Sequence, residues 1–439
     1  MTDHVLFDQS NVVSRMGTGI ATYAKNLARA AGQAGYAADA LLSTQSPIDR
    51  RNPILTEVQM FDAPQKSTAL WSGPLAVGIT GAIRGGFGYR PVQLPAQQTV
   101  LRAAGEVSPF ERTFAATRLF EQARGYFHVH DRFVKLRLPE TPALFHATHP
   151  LPIEVTGCPN IVTIHDLVPL RLPYMTLDNK RYFYRLIKNH LQRADHIVTV
   201  SEYSRQDIIS LFGVPEKRIS NSYQAVSIPA KLINRPADML AEMIRNIFDL
   251  EWGEYFLFVG ALEPKKNVAR LIDAYAASGS KKPLVIAGGA GWQNEIENAR
   301  INDPRFSNYR IIENTISRFE RVRRISYLPF EQLIALIQGA RALLFPSVFE
   351  GFGLPVLEAM ALGTPVMTSN VTSLPEVAGD AALLVDPHDT EAMAKAIRAL
   401  DQDEDLLKGL AEKGLVQAGK FTQEVYAERV KEIYRKVGK

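Results

Sequence analysis

Cysteine is nearly missing from this chain. Cys158 stands alone among 439 residues, so no internal disulfide can form, and a fold held by its core in a reducing cytosol is expected. A lone cysteine of this kind reads as a small buried hydrophobe. Strong net charge is missing too: 50 Lys and Arg against 46 Asp and Glu leave +4, too little to argue for nucleic acid but compatible with a small anionic ligand or a lipid surface. No apolar run is long enough to span a bilayer, since the most apolar stretch, Leu70 to Ile83, is short and broken by Pro74 and several glycines. Nor does a secretory leader open the chain; Asp3 and His4 lead directly into a strand, so a cytoplasmic protein is expected. A complete set of metal ligands is also lacking. His146 and His149 have chelating spacing, but no further pair completes a tetrahedron, and no metal is expected.

What remains is ordinary globular material, 46% apolar and 22% charged, in a length that accommodates two domains with large cores. Its most informative stretch runs from Phe345 to Val366. A buried strand, Ala342 to Phe345, feeds a glycine-rich loop, and Pro355 sits where the first turn of a helix begins, a position that wastes no backbone donor. The N–H groups of Gly351, Phe352, Gly353 and Leu354 and the helix N-terminus together make a seat for an anion such as a pyrophosphate. Glu350 and Glu358 flank that seat, with Glu358 expected in the first helical turn. Carboxylates do not hold phosphate, but they accept hydrogen bonds from sugar and ribose hydroxyls, so the combination suits a nucleotide sugar. The plainer readings are helix-dipole compensation for Glu358 and a solvated loop charge for Glu350.

With its glycines and prolines, the run Pro346-Ser-x-x-Glu350-Gly-Phe-Gly-Leu-Pro-x-x-Glu358-Ala-Met-Ala-x-Gly-x-Pro-Val closely resembles the signature of the retaining glycosyltransferases of family 4, the group 1 class. The resemblance implies an α/β protein of the GT-B fold: two Rossmann-like doubly wound domains facing each other across a cleft. It implies that Glu350 contacts the donor sugar, Glu358 the ribose, and the intervening amides the distal phosphate. An N-terminal acceptor-binding domain is expected over 1–228 and a donor-binding domain over 250–421, with a C-terminal helix, 422–439, packing back onto the first. The likeness covers nearly the whole second half and parts of the first, failing mainly between about 43 and 140.

In the N-terminal half, Val5 to Asp8 reads as a strand and Gly17-Thr18-Gly19-Ile20 as the turn into a helix reaching Ala31, the first unit of a doubly wound sheet. A glycine pair at such a turn is often only tight packing. By resemblance this loop approaches the donor phosphates, through Gly19, and borders the acceptor. A basic helical piece is expected from Arg112 to Arg137, and its Arg112, Arg118, Arg124, Arg132, Lys135 and Arg137 form either a surface for anionic lipid or a solvated face. Two further strands end in polar residues, placing His146, His149, His165 and Asp166 at strand ends, where such sheets keep their sites. The family often carries a histidine after the first of these strands, near the reacting sugar. His149 and His146 both qualify, and Asp166 joins them as a catalytic candidate. Ser201 or Ser204 is available as a helix cap, and Ser201 reads as a cap rather than a ligand.

In the C-terminal half, the strand Tyr255 to Gly260 leads through Lys265 and Lys266 into a helix near Val268, which aims two ammonium groups at the phosphates. Lys266 matches the family's pyrophosphate lysine. Ala261 stands where many members have an arginine, with Lys265 as its substitute. Leu328 resembles the residue whose backbone borders the nucleobase, leaving guanine and uracil both open. Ser373-Leu-Pro-Glu376 has the form of a capping box, and Asp389-Thr390 caps the next helix.

The expected activity is retaining, metal-independent transfer of a hexose from a nucleoside diphosphate sugar to a hydroxyl, with Glu350, Lys266, His149 and Asp166 as catalytic candidates. No cofactor is expected beyond the donor as co-substrate. GDP-mannose and a growing surface polysaccharide, lipopolysaccharide or lipid-linked glycan are the favoured pair, at the inner face of the membrane. The alternatives are a catalytically silent sugar-nucleotide or glycan-binding subunit and a GT-B epimerase or phosphorylase.

Overall fold

The computed structural model describes residues 2–9, 19–45, 47–48, 85–94, 109–312 and 315–438. The chain divides into two compact units, the first formed by 1–170, 178–225 and 423–439, the second by 171–177 and 226–422.

The first unit is built on an eight-stranded sheet in the order β10-β9-β8-β6-β1-β2-β4-β3. Its strands are β1 (His4–Asp8), β2 (Ala37–Thr44), β3 (Val92–Gln93), β4 (Arg112–Thr117), β6 (Leu144–Ala147), β8 (Asn160–Ile164), β9 (His196–Thr199) and β10 (Ile219–Asn221). β5 (Val134–Leu136) and β7 (Ile153–Val155) pair separately. Only β3 runs antiparallel in the large sheet. β6 and β9 are buried along their whole length, as strands covered on both faces are, although β6 includes His146 and β9 includes His196 and Thr199. Helices α1 (Gly19–Gln33), α2 (Leu119–His130), α3 (Lys180–Arg193) and α4 (Glu202–Phe212) lie between strands in the sequence.

The basic helix expected over 112–137 is a strand, a helix and a strand instead. Thr113 to Ala116 are buried in register with β2, and Arg112 sits opposite Asp39, its guanidinium 2.7 Å from that carboxylate and also paired with Glu140. Left-handed residues bound the helix that follows: Arg118 (φ 47°) before Leu119 and Asp131 (φ 57°) after His130.

The second unit carries a six-stranded parallel sheet, β15-β12-β11-β16-β17-β18. These strands are β11 (Phe256–Val259), β12 (Leu284–Ala287), β15 (Val322–Ile325), β16 (Ala342–Phe345), β17 (Val366–Ser369) and β18 (Leu383–Val385), and β13 (Ser307–Ile312) and β14 (Thr315–Glu320) form a hairpin. The helices are α5 (Ala237–Phe248), α6 (Val268–Ser278), α7 (Phe330–Gly339), α8 (Leu354–Ala361), α9 (Thr390–Gln402) and α10 (Glu404–Ala418). Asp389 caps α9 by accepting the Ala392 N–H, and Ser201 caps α4 by accepting that of Ser204. The last helix, α11 (Gln423–Val437), belongs to the first unit, where Gln423 donates to the Asn26 carbonyl and the buried Tyr434 meets Tyr36 edge-on.

Each sheet starts in its middle and grows outward in both directions. In the first, the chain moves from β1 to β2 and β4, then returns to the other side at β6; in the second it moves from β11 to β12 and β15, then returns at β16. Such reversals open a crevice at the carboxyl ends of the two central strands, where doubly wound sheets bind ligands. Among the described residues no helix is long and apolar enough to cross a membrane, and the stretch 70–83 lies outside them.

Candidate functional site

In the second unit the reversal falls between β11 and β16, and the loops leaving these strands carry Lys265, Lys266 and Glu350. Asn267, in the left-handed region at φ 62°, stitches the loops together by donating from Nδ2 to the carbonyls of Pro346 (3.0 Å) and Pro387 (2.7 Å). A second tie runs from the Val348 N–H to the Lys265 carbonyl. This frame sets Lys266 Nζ 2.6 Å from Glu350 Oε1 and 4.9 Å from the Phe345 ring centroid. Both partners are largely buried, with side chains 14% and 10% exposed. Burial alone would push the Glu350 carboxyl up, but the charges of Lys266 and Lys265 outweigh it and hold the group below the usual range. Lys265 itself lies 3.9 Å from Glu263.

The loop from Glu350 to Gly353 is held by the segment that follows β17. Thr372 Oγ1 accepts the Glu350 N–H, and the buried Ser373 hydroxyl shares its proton between the carbonyls of Glu350 (3.0 Å) and Phe352 (2.9 Å). The capping box expected at Ser373 is therefore absent: its hydroxyl caps no helix, because the loop carbonyls have claimed it. Gly353, at φ 108°, turns the chain into α8, and a Cβ there would come within 2.7 Å of Leu374. Gly351, Phe352 and Gly353 are buried and Leu354 is half-buried. With the helix starting at Leu354, Pro355 is its second residue and Glu358 lies beyond the first turn. That corrects the expected position of Glu358 and weakens its role in dipole compensation, which fades within one turn. Burial without an opposite charge pushes the half-buried Glu358 carboxyl up to about 7. Leu328 is half-buried in the segment between β15 and α7.

In the first unit the reversal falls between β1 and β6. Asp8 ends β1, fully buried, and its carboxylate accepts the Thr148 N–H and lies 3.3 Å from His149 Nδ1. Burial works against its ionisation, yet His149 and the Thr148 N–H outweigh burial and keep the carboxyl below its ordinary value. The His149 side chain is 14% exposed. His165 Nε2 lies 2.9 Å from the Thr148 carbonyl, while its own carbonyl accepts the Ser204 hydroxyl and Tyr23 meets its ring edge-on at 4.7 Å. Half-buried Asp166 accepts the N–H of Val168.

His146 does not join this group. It is 1% exposed, with Nδ1 2.8 Å from Tyr434 Oη and Nε2 2.8 Å from Thr163 Oγ1. Burial drops its pKa to about 3, so it is neutral at all ordinary pH. As a residue of β6 itself it points into the packing against α11, whereas His149 has left the strand. Burial separates the two histidines: His146 is enclosed by its partners, and His149 keeps some exposure. No group of three or more potential metal ligands occurs among the described residues. Gly19 is the exposed first residue of α1; Gly17 and Thr18 lie outside the described residues.

Three contributors escaped the sequence reading: Asp8, Thr372 and Ser373. Asp8 carried a signal, a charged residue closing an apolar strand ahead of a glycine turn. Thr372 carried none, because its partner lies more than twenty residues away in the chain, and the signal at Ser373 was for a helix cap instead.

Comparison with known proteins adds to this geometry. The family model described as Glycosyl transferases group 1 matches residues 242–417, and that described as Glycosyltransferase Family 4 matches residues 96–226. The second match begins well before 140, so the part without likeness is smaller than the sequence motifs alone suggested. O-antigen chain mannosyltransferase B of Escherichia coli is 36% identical over 272 residues, 60% of this chain and 67% of that protein. The serotype-specific mannosyltransferase WbdA of Escherichia coli is 28% identical over 289 residues, 62% of this chain but 33% of that protein, so the match spans about a third of WbdA. Among solved structures, sucrose-phosphate synthase from Thermosynechococcus elongatus has a TM-score of 0.64 at 18% identity, covering 99% of this chain and 98% of that one. Anabaena HepE in complex with UDP-glucose has a TM-score of 0.62 at 15% identity, covering 98% and 99%. At such identities the likeness is one of fold, and it bears out the GT-B expectation.

Proposed function

Since this chain belongs to the group 1 glycosyltransferases of family 4, we propose that it transfers mannose from GDP-mannose, with retention, to a hydroxyl of a growing surface polysaccharide or lipid-linked glycan. The observation that carries this reading is the Lys266–Glu350 pair at the reversal of the second sheet, beside the start of α8. Two relatives named as mannosyltransferases of O-antigen or serotype synthesis support the choice of sugar and acceptor class.

The difficulty of the reaction is expelling a diphosphate while positive charge grows on the sugar ring. Lys266, Lys265 and the amides from Gly351 to Leu354 meet the leaving group's charge as it develops, an electrostatic contribution that needs no metal in this reading. Glu350 holds a hydroxyl of the donor sugar, and Glu358 the ribose. Glu350 neutralises Lys266 at 2.6 Å, and binding of the diphosphate exchanges one anionic partner of the lysine for another. The bond from the anomeric carbon to the diphosphate oxygen breaks, and the acceptor oxygen bonds to that carbon from the same side. The acceptor's proton passes to a phosphate oxygen, so no protein nucleophile is required. In the first unit the catalytic candidates are His149, oriented by Asp8, and Asp166, with His165 as an acceptor-side candidate.

The test is turnover with a panel of nucleotide sugars and a lipid-linked or oligosaccharide acceptor. Release of GDP from GDP-mannose, lost in Glu350→Ala, is expected. Stabilisation only by non-sugar nucleotides would sink the donor assignment, and donor binding without turnover would place the chain among silent binding subunits.

A further inference from the structure

We propose that α3, with the adjoining faces of α2 and α4, forms a docking surface for an anionic lipid bilayer. This reading stands apart from the donor assignment. It also relocates the cationic surface expected over 112–137. In the structure Arg112 is consumed by Asp39 and Glu140, Arg118 donates to the Gln45 carbonyl, and Lys135 pairs with Glu154.

Arg124 and Arg132 keep exposed positions, and the rest of the charge lies on α3. Over its whole length α3 carries Lys180, Arg181, Arg185, Lys188 and Arg193 and no Asp or Glu. Its buried side is Leu186, Ile187, His190 and Leu191. At the helical period this leaves Arg181, Lys188 and Gln192 on one exposed ridge, with Arg185 next to them. α2 flanks the ridge on one side: Tyr182 stacks on His128 and meets Phe127 edge-on, and Arg185 takes up Asp131. α4 flanks the other, where Tyr184 stacks on Phe212 at 5.5 Å. Arg124 and Arg132, on and just beyond α2, are exposed like Arg181 and Lys188, and none of the four has an ion-pair partner among the described residues.

Charge complementarity selects an anionic partner, and the apolar side chains among the cations select a bilayer over a soluble polyanion. Tyr184 is 44% exposed and Leu211, beside Phe212, is 41% exposed. A tyrosine with an apolar ring and a polar tip, set among long basic side chains, suits the boundary between headgroups and acyl chains. A soluble polyanion would gain from the cations and nothing from Tyr184 or Leu211. Each Lys or Arg brought near an anionic leaflet contributes about fivefold to partitioning, a contribution that added salt screens.

The experiment is co-sedimentation of the full chain with vesicles of phosphatidylcholine alone or with about 30% phosphatidylserine. Binding to the anionic vesicles only, weakened by salt, is expected. Arg181→Glu/Lys188→Glu should lower it by about 25-fold or more, with an unchanged melting temperature because both residues are exposed. The control Lys395→Glu/Lys408→Glu makes the same change in net charge at exposed positions of the other unit and should bind like the wild type. Tyr184→Ser should weaken binding without altering its salt slope. The proposal is overturned by equal binding to neutral vesicles, by binding to neither kind, by an equal loss in the control, or by binding to heparin without binding to vesicles.

Discussion

Replacing Glu350 by Gln would leave the Lys266 ammonium without the carboxylate that now lies 2.6 Å away, in a place where water reaches neither side chain well. At that separation and an effective dielectric constant near 20, the gross attraction is about 6 kcal/mol, most of it offset by the cost of taking both charges out of water. Removing one partner keeps the cost and discards the attraction. We therefore expect Glu350→Gln and Lys266→Met each to lose about 3 kcal/mol, the low end of the range for buried pairs because each side chain keeps some exposure. For a unit of about 200 residues that is a fall of roughly 6–12 °C in its melting transition. The double variant, which removes both charges, should return to within about 1 kcal/mol of the wild type. The acid side gives a second reading. The folded Glu350 carboxyl lies below its ordinary value, so its contribution is fully present above the unfolded value of about 4.5 and is lost as pH falls through the lower folded value. The difference in stability between wild type and Glu350→Gln should shrink over that window and stay constant from pH 6 to 8. Calorimetry across pH measures both effects. Single-variant losses that simply add in the double variant would refute the coupling, and so would a wild-type advantage that does not fade in acid. A further consequence bears on function: Glu350→Gln should lose turnover while binding GDP at least as tightly as the wild type, since the lysine is released to the diphosphate.

Other expectations follow from the same geometry. Glu358, with its folded pKa raised to about 7, costs the native state stability as pH climbs from its ordinary value towards 7, so Glu358→Gln should be the more stable protein at pH 8 by on the order of 2 kcal/mol and show no advantage at pH 4; urea unfolding at the two pH values decides. Asp8→Asn should lower transfer about 100-fold with the fold intact, because it misorients His149 rather than removing it; an unchanged rate, with circular dichroism confirming the fold, would exclude the dyad from the reaction. Ser373→Ala should leave the carbonyls of Glu350 and Phe352 short of a donor and cost about 1–3 kcal/mol, with weaker donor binding visible by calorimetric titration.

The comparison of sequence with structure separates two kinds of information. The stretch from Phe345 to Val366 was legible because each of its parts is local: a four-residue buried strand, a glycine turn, a proline near the start of a helix. The same holds for the strand before Lys266 and for the caps at Ser201 and Asp389. The basic segment at 112–137 has helical charge spacing, but its run Thr113 to Ala116 is a buried strand whose partner, β2, is remote in sequence. Ser373 misled for a related reason, since its capping pattern was real but a stronger claim on its hydroxyl came from another loop.

What the residues determined unaided were the strand, loop and helix units and the chemistry gathered at their ends, since both depend on neighbours within a few positions. Tertiary structure alone decided which loops meet. Strand order brings Lys266 to Glu350 across 84 positions and Asp8 to the Thr148 amide across 140, and it sends His146 into the packing against Tyr434 while leaving His149 at the edge. Such pairings follow from how two sheets reverse direction at their centres, which is a property of the assembled core and of no single stretch of chain.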